Sequence, residues 1–521
     1  MKRVIALIIF IATFIATMVL LCKSPYANGW DGYFYIVQVK SWFVEGAMHS
    51  EDHSLVYALL IVVQYIFRDY VLSYKIASAL IRAFFITALY FLSVKIIKET
   101  KPEKIDRNDT SLYIKALFVC VVAAVSSSSL YFITQFPKNM LGFAFLLTML
   151  YFLPSVYKSA SNGQLSKNDI RNAVVCIILF ICTFLTHRFS GGIAVIVLFL
   201  FVIALLLEKM KQIIPYLFIS SVFFIIVLIA VSLAFPGTLH VYDLERFSGA
   251  FNSSFIFTVF EFLNIISYKR AGVLWSVELL VYYLCSVLFI ISYVRSLIKR
   301  EKHKFLYFTG IFVIITFGVF PFYNFDPSGI GYRFYLGAQL FVPLACLIFF
   351  VNMHFESKSF LPVLVIVMIA LSMFLVINYD YKKYDPPYEK YHGMSQKLIK
   401  RLGVTKNDYQ LFIMHKALAE IFTYETGLDA LPWAPGIKYE GARVLRLVYG
   451  VEPKLYKRFL SNEELEKVFL LQGRYTYLDE DLFGIFCERL KEFAPDEFEK
   501  INNWRNPLKV RPDYLMRGEK R

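Results

Sequence analysis

The sequence has few cysteines, and none of them is placed as in a metal-binding or redox motif. Seven cysteines occur in 521 residues, with no CxxC spacing and no histidine cluster beside them. Buried thiols in apolar surroundings behave as small hydrophobic side chains. We therefore expect a core role for the five that lie inside apolar segments, which are Cys120, Cys176, Cys182, Cys285 and Cys346.

Nucleic-acid motifs, internal repeats and low-complexity tracts are also lacking. Lysine and arginine total 55 against 40 acidic residues, a formal net charge of +15. In a soluble protein this excess would suggest a nucleic-acid partner. Here the basic residues crowd the loops between apolar segments, as they do in the cytoplasmic loops of membrane proteins. We expect membrane lipids around the protein and no nucleic-acid partner.

Apolar residues are abundant, at 58% of the chain with a mean hydropathy of +0.55. Soluble domains contain about 45–50%. The excess lies in blocks of roughly 18–23 residues, the length of a membrane-spanning helix. Because lipid offers no partner for backbone polar groups, these blocks must be helical. The sequence predicts an α-helical polytopic membrane protein whose first span, near 4–21, is not a cleaved signal peptide.

Eleven spans are predicted from the apolar blocks. The apolar segment 55–67 is too short to cross and is predicted to be an interfacial or buried helix. With that choice the basic loops 98–111, 156–172 and 295–304 fall in the cytoplasm, which agrees with the positive-inside rule. The N-terminus is then cytoplasmic and the C-terminus extracytoplasmic. The spans lie near 4–21, 76–97, 112–134, 139–155, 173–186, 190–207, 213–235, 273–294, 305–323, 333–352 and 360–378.

The sequence divides into three parts. Residues 1–378 form the predicted transmembrane domain, and 379–398 form a polar linker interrupted by Pro386-Pro387. Residues 399–521 have ordinary charge density and turn signals, which indicate a small α/β domain outside the membrane. Within it we predict a strand at 409–414, a helix starting at Ser461 and a second helix over 479–493.

Charged residues cluster at the predicted outer ends of the spans. Each has a plain alternative: Asp31-Gly32 could be a solvated turn, and the arginines could be membrane anchors. Taken together, acids and cations on one face suit the activation of a hydroxyl while a lipid-linked phosphate is held as leaving group. The candidates are Asp31, Glu51 and Asp52 in the first loop, Lys138 in a tight hairpin, His187-Arg188 between two spans, and Tyr332-Arg333 before a late span.

These placements resemble the GT-C superfamily of membrane glycosyltransferases over residues 1–378. That superfamily includes protein O-mannosyltransferases, the lipid A aminoarabinose transferase and oligosaccharyltransferase catalytic subunits. The resemblance rests on an acid after the first span, the stretch Glu51–Ile61, the span Ala77–Ile97, His187 at a membrane edge, and Tyr332-Arg333-Phe334 followed by Pro343.

The resemblance implies a polyprenyl-phosphate sugar donor and an inverting transfer to a glycan, lipid or protein acceptor. By it, Asp31 is the general base and Arg333 the main phosphate ligand. Lys138, His187 or Arg188 would assist, with Tyr332 beside them, and Glu51 or Asp52 would position sugar or acceptor. Asp31 lacks the second acid of the metal-binding DxD motif, so the resemblance assigns no cofactor with certainty and leaves a divalent cation as an open alternative. No WWD-type motif occurs in 379–521, which argues against asparagine-linked transfer.

Three other functions remain open from the sequence. A transporter or flippase for a lipid-linked glycan would also need cations, but it is expected to show inverted repeats or paired half-spans. An O-antigen polymerase or ligase would use outer arginines without needing Asp31. A non-enzymatic assembly partner would use the C-terminal domain for binding and would tolerate substitution of Asp31.

Overall fold

The computed structural model describes residues 2–50, 52, 54–100, 110–162, 166–209, 272–298, 310–316, 337–352, 385–402, 411–414, 416–428, 430–432, 444–449, 453–466, 468–472 and 475–498. Contacts divide the chain into two compact units. The first, called the membrane unit, is 1–25 with 51–384, and the second, called the C-terminal unit, is 26–50 with 385–521. Each unit is described by itself.

Helices of the membrane unit occupy the predicted apolar blocks. In chain order the helices that precede the C-terminal part are α1 Lys2–Leu21, α2 Gly32–Glu45, α3 Leu55–Phe67, α4 Tyr70–Thr100, α5 Thr110–Val125, α6 Ser127–Gln135, α7 Pro137–Asn162, α8 Lys167–Thr186, α9 Arg188–Lys209, α10 Gly272–Ile298 and α11 Val342–Asn352. All except α2 belong to the membrane unit.

The polytopic α-helical architecture is confirmed. Among the described residues, α1, α4, α7 and α8 are each long and apolar enough to cross a membrane. Helix α3 has 13 residues, as predicted for 55–67. The spans predicted near 213–235 and 360–378 lie outside the described residues, and the one near 305–323 is described only at 310–316.

The prediction of one continuous span over 112–134 is wrong in one respect. The segment is broken into α5 and α6, which meet at an angle of 56°. Ser126 at the break is extended, and its hydroxyl accepts the Ser129 N–H at 3.0 Å, which caps α6. Arg82 on α4, only 1% exposed, donates to the carbonyl of Ala124 and to the hydroxyl of Thr17 at 2.9 Å. The buried guanidinium thus satisfies a carbonyl that the helix break leaves without its helical partner.

The cysteines lie where the sequence predicted. Cys120 and Cys176 are buried, and none of the seven forms a disulfide. Cys285 and Cys346 pack against an apolar cluster that includes Tyr282 of α10. They serve as small core side chains, as is usual for unpaired thiols in apolar surroundings.

The C-terminal unit is an α/β domain built on a five-stranded mixed sheet. Its strand order is β2-β1-β3-β5-β4, in which β2, β1 and β3 are parallel and β3, β5 and β4 antiparallel. Helices α13 and α16 cover it with apolar faces, so its core is formed from both. The elements are α12 Tyr388–Leu402, β1 Leu411–Met414, α13 Lys416–Thr426, β2 Ala430–Pro432, β3 Val444–Tyr449, α14 Pro453–Phe459, α15 Asn462–Glu466, β4 Phe469–Gln472, β5 Tyr475–Asp479 and α16 Glu480–Phe493.

Two predicted helices start at side-chain caps. The Ser461 hydroxyl accepts the Glu464 N–H at 3.3 Å, and the Glu464 carboxylate accepts the Ser461 N–H at 2.7 Å, which is a capping box at the start of α15. Asp479 caps α16 through the Asp481 N–H. Both starts agree with the sequence prediction.

The linker expected over 379–398 differs from the structure in its second half. Helix α12 begins directly after Pro386-Pro387 and buries Tyr388, Tyr391 and Leu398 along one face. Proline fits the beginning of a helix because its missing N–H would have no helical partner there. Residues 26–50, assigned to the transmembrane domain by the sequence, belong by their contacts to the C-terminal unit.

Candidate active site

His187 lies between two apolar helices with no further loop residue. It ends α8, where its N–H donates to the Thr183 carbonyl at 3.2 Å, and α9 begins at Arg188. The Phe189 N–H donates to the His187 Nδ1 at 3.1 Å. Because Nδ1 accepts this bond, the neutral imidazole carries its proton on Nε2. The ring is therefore oriented to donate a hydrogen bond through Nε2.

The beginning of α3 is attached to this junction. Ser54 is the N-cap of α3, accepting the Val56 N–H, and its hydroxyl donates to the Thr186 carbonyl at 2.6 Å. Ser54 and Thr186 are both buried. This contact brings the acidic part of the first loop next to the residue that precedes His187.

Asp52 and Lys138 form an ion pair in the same region. The Lys138 ammonium lies 2.6 and 2.8 Å from the two carboxylate oxygens of Asp52, and their side chains are 17% and 26% exposed. The buried Tyr57 on the first turn of α3 donates its hydroxyl to Asp52 at 2.9 Å. Two donors thus orient the Asp52 carboxylate, and through it the Lys138 ammonium.

Helix α7 connects Lys138 with His187. Lys138 is the second residue of α7, and Gly142 lies one turn later on the same face. A Cβ placed at Gly142 would be 3.7 Å from the His187 Cβ and 2.0 Å from the Ser190 Oγ. Glycine is therefore required for α7 to approach α9 this closely. We call Asp52, Tyr57, Lys138 and His187 the cationic cluster.

The described chain reaches this region again after the predicted Arg333 segment. Gly337 packs against the rings of Phe143 on α7 and Phe189 on α9. The ring centroids of Phe143 and Phe189 are 5.7 Å apart, and the two rings meet edge to face. Glu51, Tyr332 and Arg333 lie outside the described residues.

Asp31 belongs to the C-terminal unit. It is the N-cap residue of α2, and its carbonyl accepts the Tyr35 N–H at 3.1 Å, but its carboxylate makes no capping bond to the helix. Burial raises the pKa of the neighbouring Tyr33 hydroxyl, which keeps that phenol neutral. The Asp31 side chain is half-buried at the start of this helix.

Several residues of the site gave no clear sequence signal. Ser54 and Thr186 act through a hydrogen bond between distant segments, and Tyr57 acts through a local bond to Asp52. Arg82 lies on α4, inside a predicted span. An arginine within a predicted span is itself an informative signal. Among the described residues no group of three His, Cys, Asp or Glu side chains is arranged to hold a metal ion.

The fold resembles a solved structure over almost its whole length. The crystal structure of ArnT from Cupriavidus metallidurans bound to undecaprenyl phosphate aligns with 91% of this chain and 97% of its own, with a TM-score of 0.56 and 10% sequence identity. No protein-family model and no curated protein matches the sequence. The chain shares the fold of that structure over most of its length, and the predicted polytopic α-helical membrane architecture is confirmed.

Proposed function

We propose that this protein is a membrane glycosyltransferase that moves a sugar from a polyprenyl-phosphate donor to an acceptor hydroxyl on the outer face, inverting the anomeric carbon. The cationic cluster within a GT-C-like fold is the observation that supports this most directly. A solved protein of that fold holds undecaprenyl phosphate. The sugar and the acceptor class are left open.

The cationic cluster suits a lipid-linked phosphate. Lys138 is held by Asp52 rather than extended into solvent, so its charge has a fixed position. His187 presents its Nε2–H from a ring that the Phe189 N–H orients. A pre-oriented cation and donor stabilise the charge that develops on a departing phosphate without first reorganising. In this proposal Asp52 positions Lys138, and Arg188 assists from the next residue.

Arg333 is proposed as the main phosphate ligand. Arg333 lies four positions before Gly337 in the sequence, and Gly337 packs on Phe143 and Phe189 beside the cluster. Arginine binds phosphate through two parallel N–H bonds, which a lysine cannot reproduce.

Asp31 is proposed as the general base. A carboxylate can take the proton of the acceptor hydroxyl as that oxygen attacks the anomeric carbon and the bond to the phosphate breaks. Attack opposite the leaving group inverts the configuration.

The lipid-linked glycan flippase is the second candidate, since the break between α5 and α6 is a half-span feature of the kind that transporters use. One experiment separates the two functions. Asp31→Asn should lower transfer from a polyprenyl-phosphate sugar by about 10²–10⁴-fold while donor binding survives, because binding needs no proton transfer. Arg333→Ala should weaken donor binding and transfer together.

The matched control is Glu45→Gln, which removes an exposed acid from the other end of α2. It should leave transfer unchanged. The assay uses the full chain in nanodiscs, with a separate measurement of donor binding. Full transfer by a folded Asp31→Asn protein would contradict the proposed base. No transfer by the wild-type protein, together with translocation of a lipid-linked glycan in proteoliposomes, would favour the flippase.

A further inference from the structure

The turn that precedes Asp31 is hydrogen-bonded to Asp385 and Tyr388, which belong to the same C-terminal unit. Gly29 has a φ of 82°, a conformation that glycine adopts without strain. Its N–H donates to the Asp385 Oδ1 at 2.9 Å, and its carbonyl accepts the Tyr388 hydroxyl at 2.6 Å. Asn28 donates its side-chain amide to the other Asp385 oxygen at 3.2 Å. The backbone N–H and carbonyl of Gly29 are thus both fixed by residues more than 350 positions later in the sequence.

This restraint extends to the Asp31 backbone. Only Trp30 separates Gly29 from Asp31, and the Gly32 N–H, directly after Asp31, donates to the Gly29 carbonyl at 3.4 Å. The same carbonyl therefore accepts both the Tyr388 hydroxyl and the first N–H of α2. A shift of Gly29 would move the residue on which the Asp31 carboxylate is mounted.

Helix α2 is held along its length by the same domain. The ring of Tyr33, on the first turn of α2, packs against the rings of Tyr388 and Tyr424, with centroid distances of 4.8 and 5.3 Å. Further along, the Lys40 ammonium donates to the Tyr424 carbonyl and lies over the Tyr424 ring at 5.0 Å. The position of α2 is therefore determined by α12 and α13. Asp385 and Tyr388 add the contacts closest to Asp31.

We propose that Asp385 and Tyr388 are positioning residues of the transfer reaction, acting through Asp31. Asp385 accepts two hydrogen bonds and Tyr388 donates one, and together they fix the turn from which the general base projects. The inference rests on the proposed function, because it assigns these residues to the same reaction. It also gives the C-terminal domain a part in catalysis rather than a separate binding role.

A double-mutant cycle on the full chain tests this. Asp385→Asn keeps the size of the side chain but places an amide where two donors need acceptors. We expect kcat to fall by about 10²-fold, the usual cost of misplacing a reacting group by about 1 Å, with donor binding unchanged. Residues that act as a unit are not additive. In an Asp31→Asn background the same substitution should therefore cost less than about threefold.

Two further variants keep the test decisive. Tyr388→Phe removes one hydrogen bond and no packing, so it should fold even if Asp385→Asn does not, and it should show a smaller loss with the same dependence on Asp31. Asp481→Asn is the matched control, an exposed acid in the first turn of α16. It should change neither kcat nor donor binding.

The outcomes separate this inference from the proposed function. Wild-type kcat in Asp385→Asn and Tyr388→Phe would overturn the inference. An equal loss from Asp385→Asn with and without Asp31 would also overturn it, because that is the signature of a purely structural role. Full activity of Asp31→Asn alone would instead refute the role of Asp31 as general base, and absence of transfer by the wild-type protein would refute the proposed function.

Discussion

Replacing Gly142 by alanine should disturb the cationic cluster through one steric contact. The added Cβ would lie 2.0 Å from the Ser190 Oγ and 2.9 Å from the Ser190 Cβ. The hydroxyl can rotate away, but the Ser190 Cβ is attached directly to the backbone. Ordinary contact begins near 3.4 Å. Helix α7 and the start of α9 would therefore have to separate by about 0.5 Å, and His187 lies at that start.

The expected cost follows from two opposing effects. Inserting a methyl group into a packed contact costs about 1–3 kcal/mol. Alanine is favoured over glycine within a helix by about 1 kcal/mol, which offsets part of that cost. We expect a net destabilisation of up to about 2 kcal/mol. Because a 1 Å misplacement can cost about 10²-fold in rate, a shift half as large at His187 should lower transfer about tenfold.

The assay combines thermal unfolding in detergent with sugar transfer from the polyprenyl-phosphate donor. Gly192→Ala is the matched control on α9, because nothing lies within 4 Å of its added Cβ. It should be at least as stable as the wild type. Ser190→Gly removes both clashing atoms, so combining it with Gly142→Ala should restore part of the stability and activity.

Two results would refute this reasoning. If Gly142→Ala matches Gly192→Ala in both stability and activity, the close approach of α7 to α9 does not exist in the protein. If the double variant is as damaged as Gly142→Ala alone, the contact that matters is not with Ser190.

Three further predictions concern other parts of the chain. Arg82→Met should cost about 1–3 kcal/mol in thermal stability, because a buried carbonyl at the helix break loses its donor; unchanged stability would show that another group satisfies it. The Arg489 guanidinium lowers the pKa of Glu464 from 4.5 to about 2, so this pair should stabilise the protein above about pH 4.5 and progressively less as the pH falls toward 2. The stability measured by unfolding from pH 6 to pH 2 should therefore fall less in Arg489→Ala than in the wild-type protein. A reporter fused after Lys104 should be cytoplasmic and one near Asp385 extracytoplasmic; a cytoplasmic signal at the second position would remove the outer-face mechanism.

The helical membrane architecture was predictable because its signal is local. The length of an apolar segment predicts whether it can cross a bilayer, and this alone predicts α1, α4, α7 and α8 as possible spans. The helix over 55–67 was also recognisable from its length. The break at Ser126 was not, because hydropathy records how apolar a segment is and not where its hydrogen bonds are made. That break depends on a serine cap and on Arg82 from another helix.

The candidate site was predictable as a set of residues but not as a set of contacts. Acids and cations at the ends of spans were visible in the sequence, and Asp52 and Lys138 are among them. Their pairing joins residues 86 positions apart. It depends on how Ser54 meets Thr186. Similarly, the Pro386-Pro387 pair indicated a linker, whereas the residues on either side of it hold a turn in the first loop.

The proposed phosphate ligands and the proposed base are stabilised by different parts of the molecule. Asp52 and Tyr57 fix the Lys138 ammonium, and Ser54 joins the start of α3 to the residue before His187, all within the membrane unit. Asp385 and Tyr388 fix the turn before Asp31 within the C-terminal unit. A substitution in one network should therefore leave the other in place, so loss of donor binding and loss of the base step should be separable by mutation.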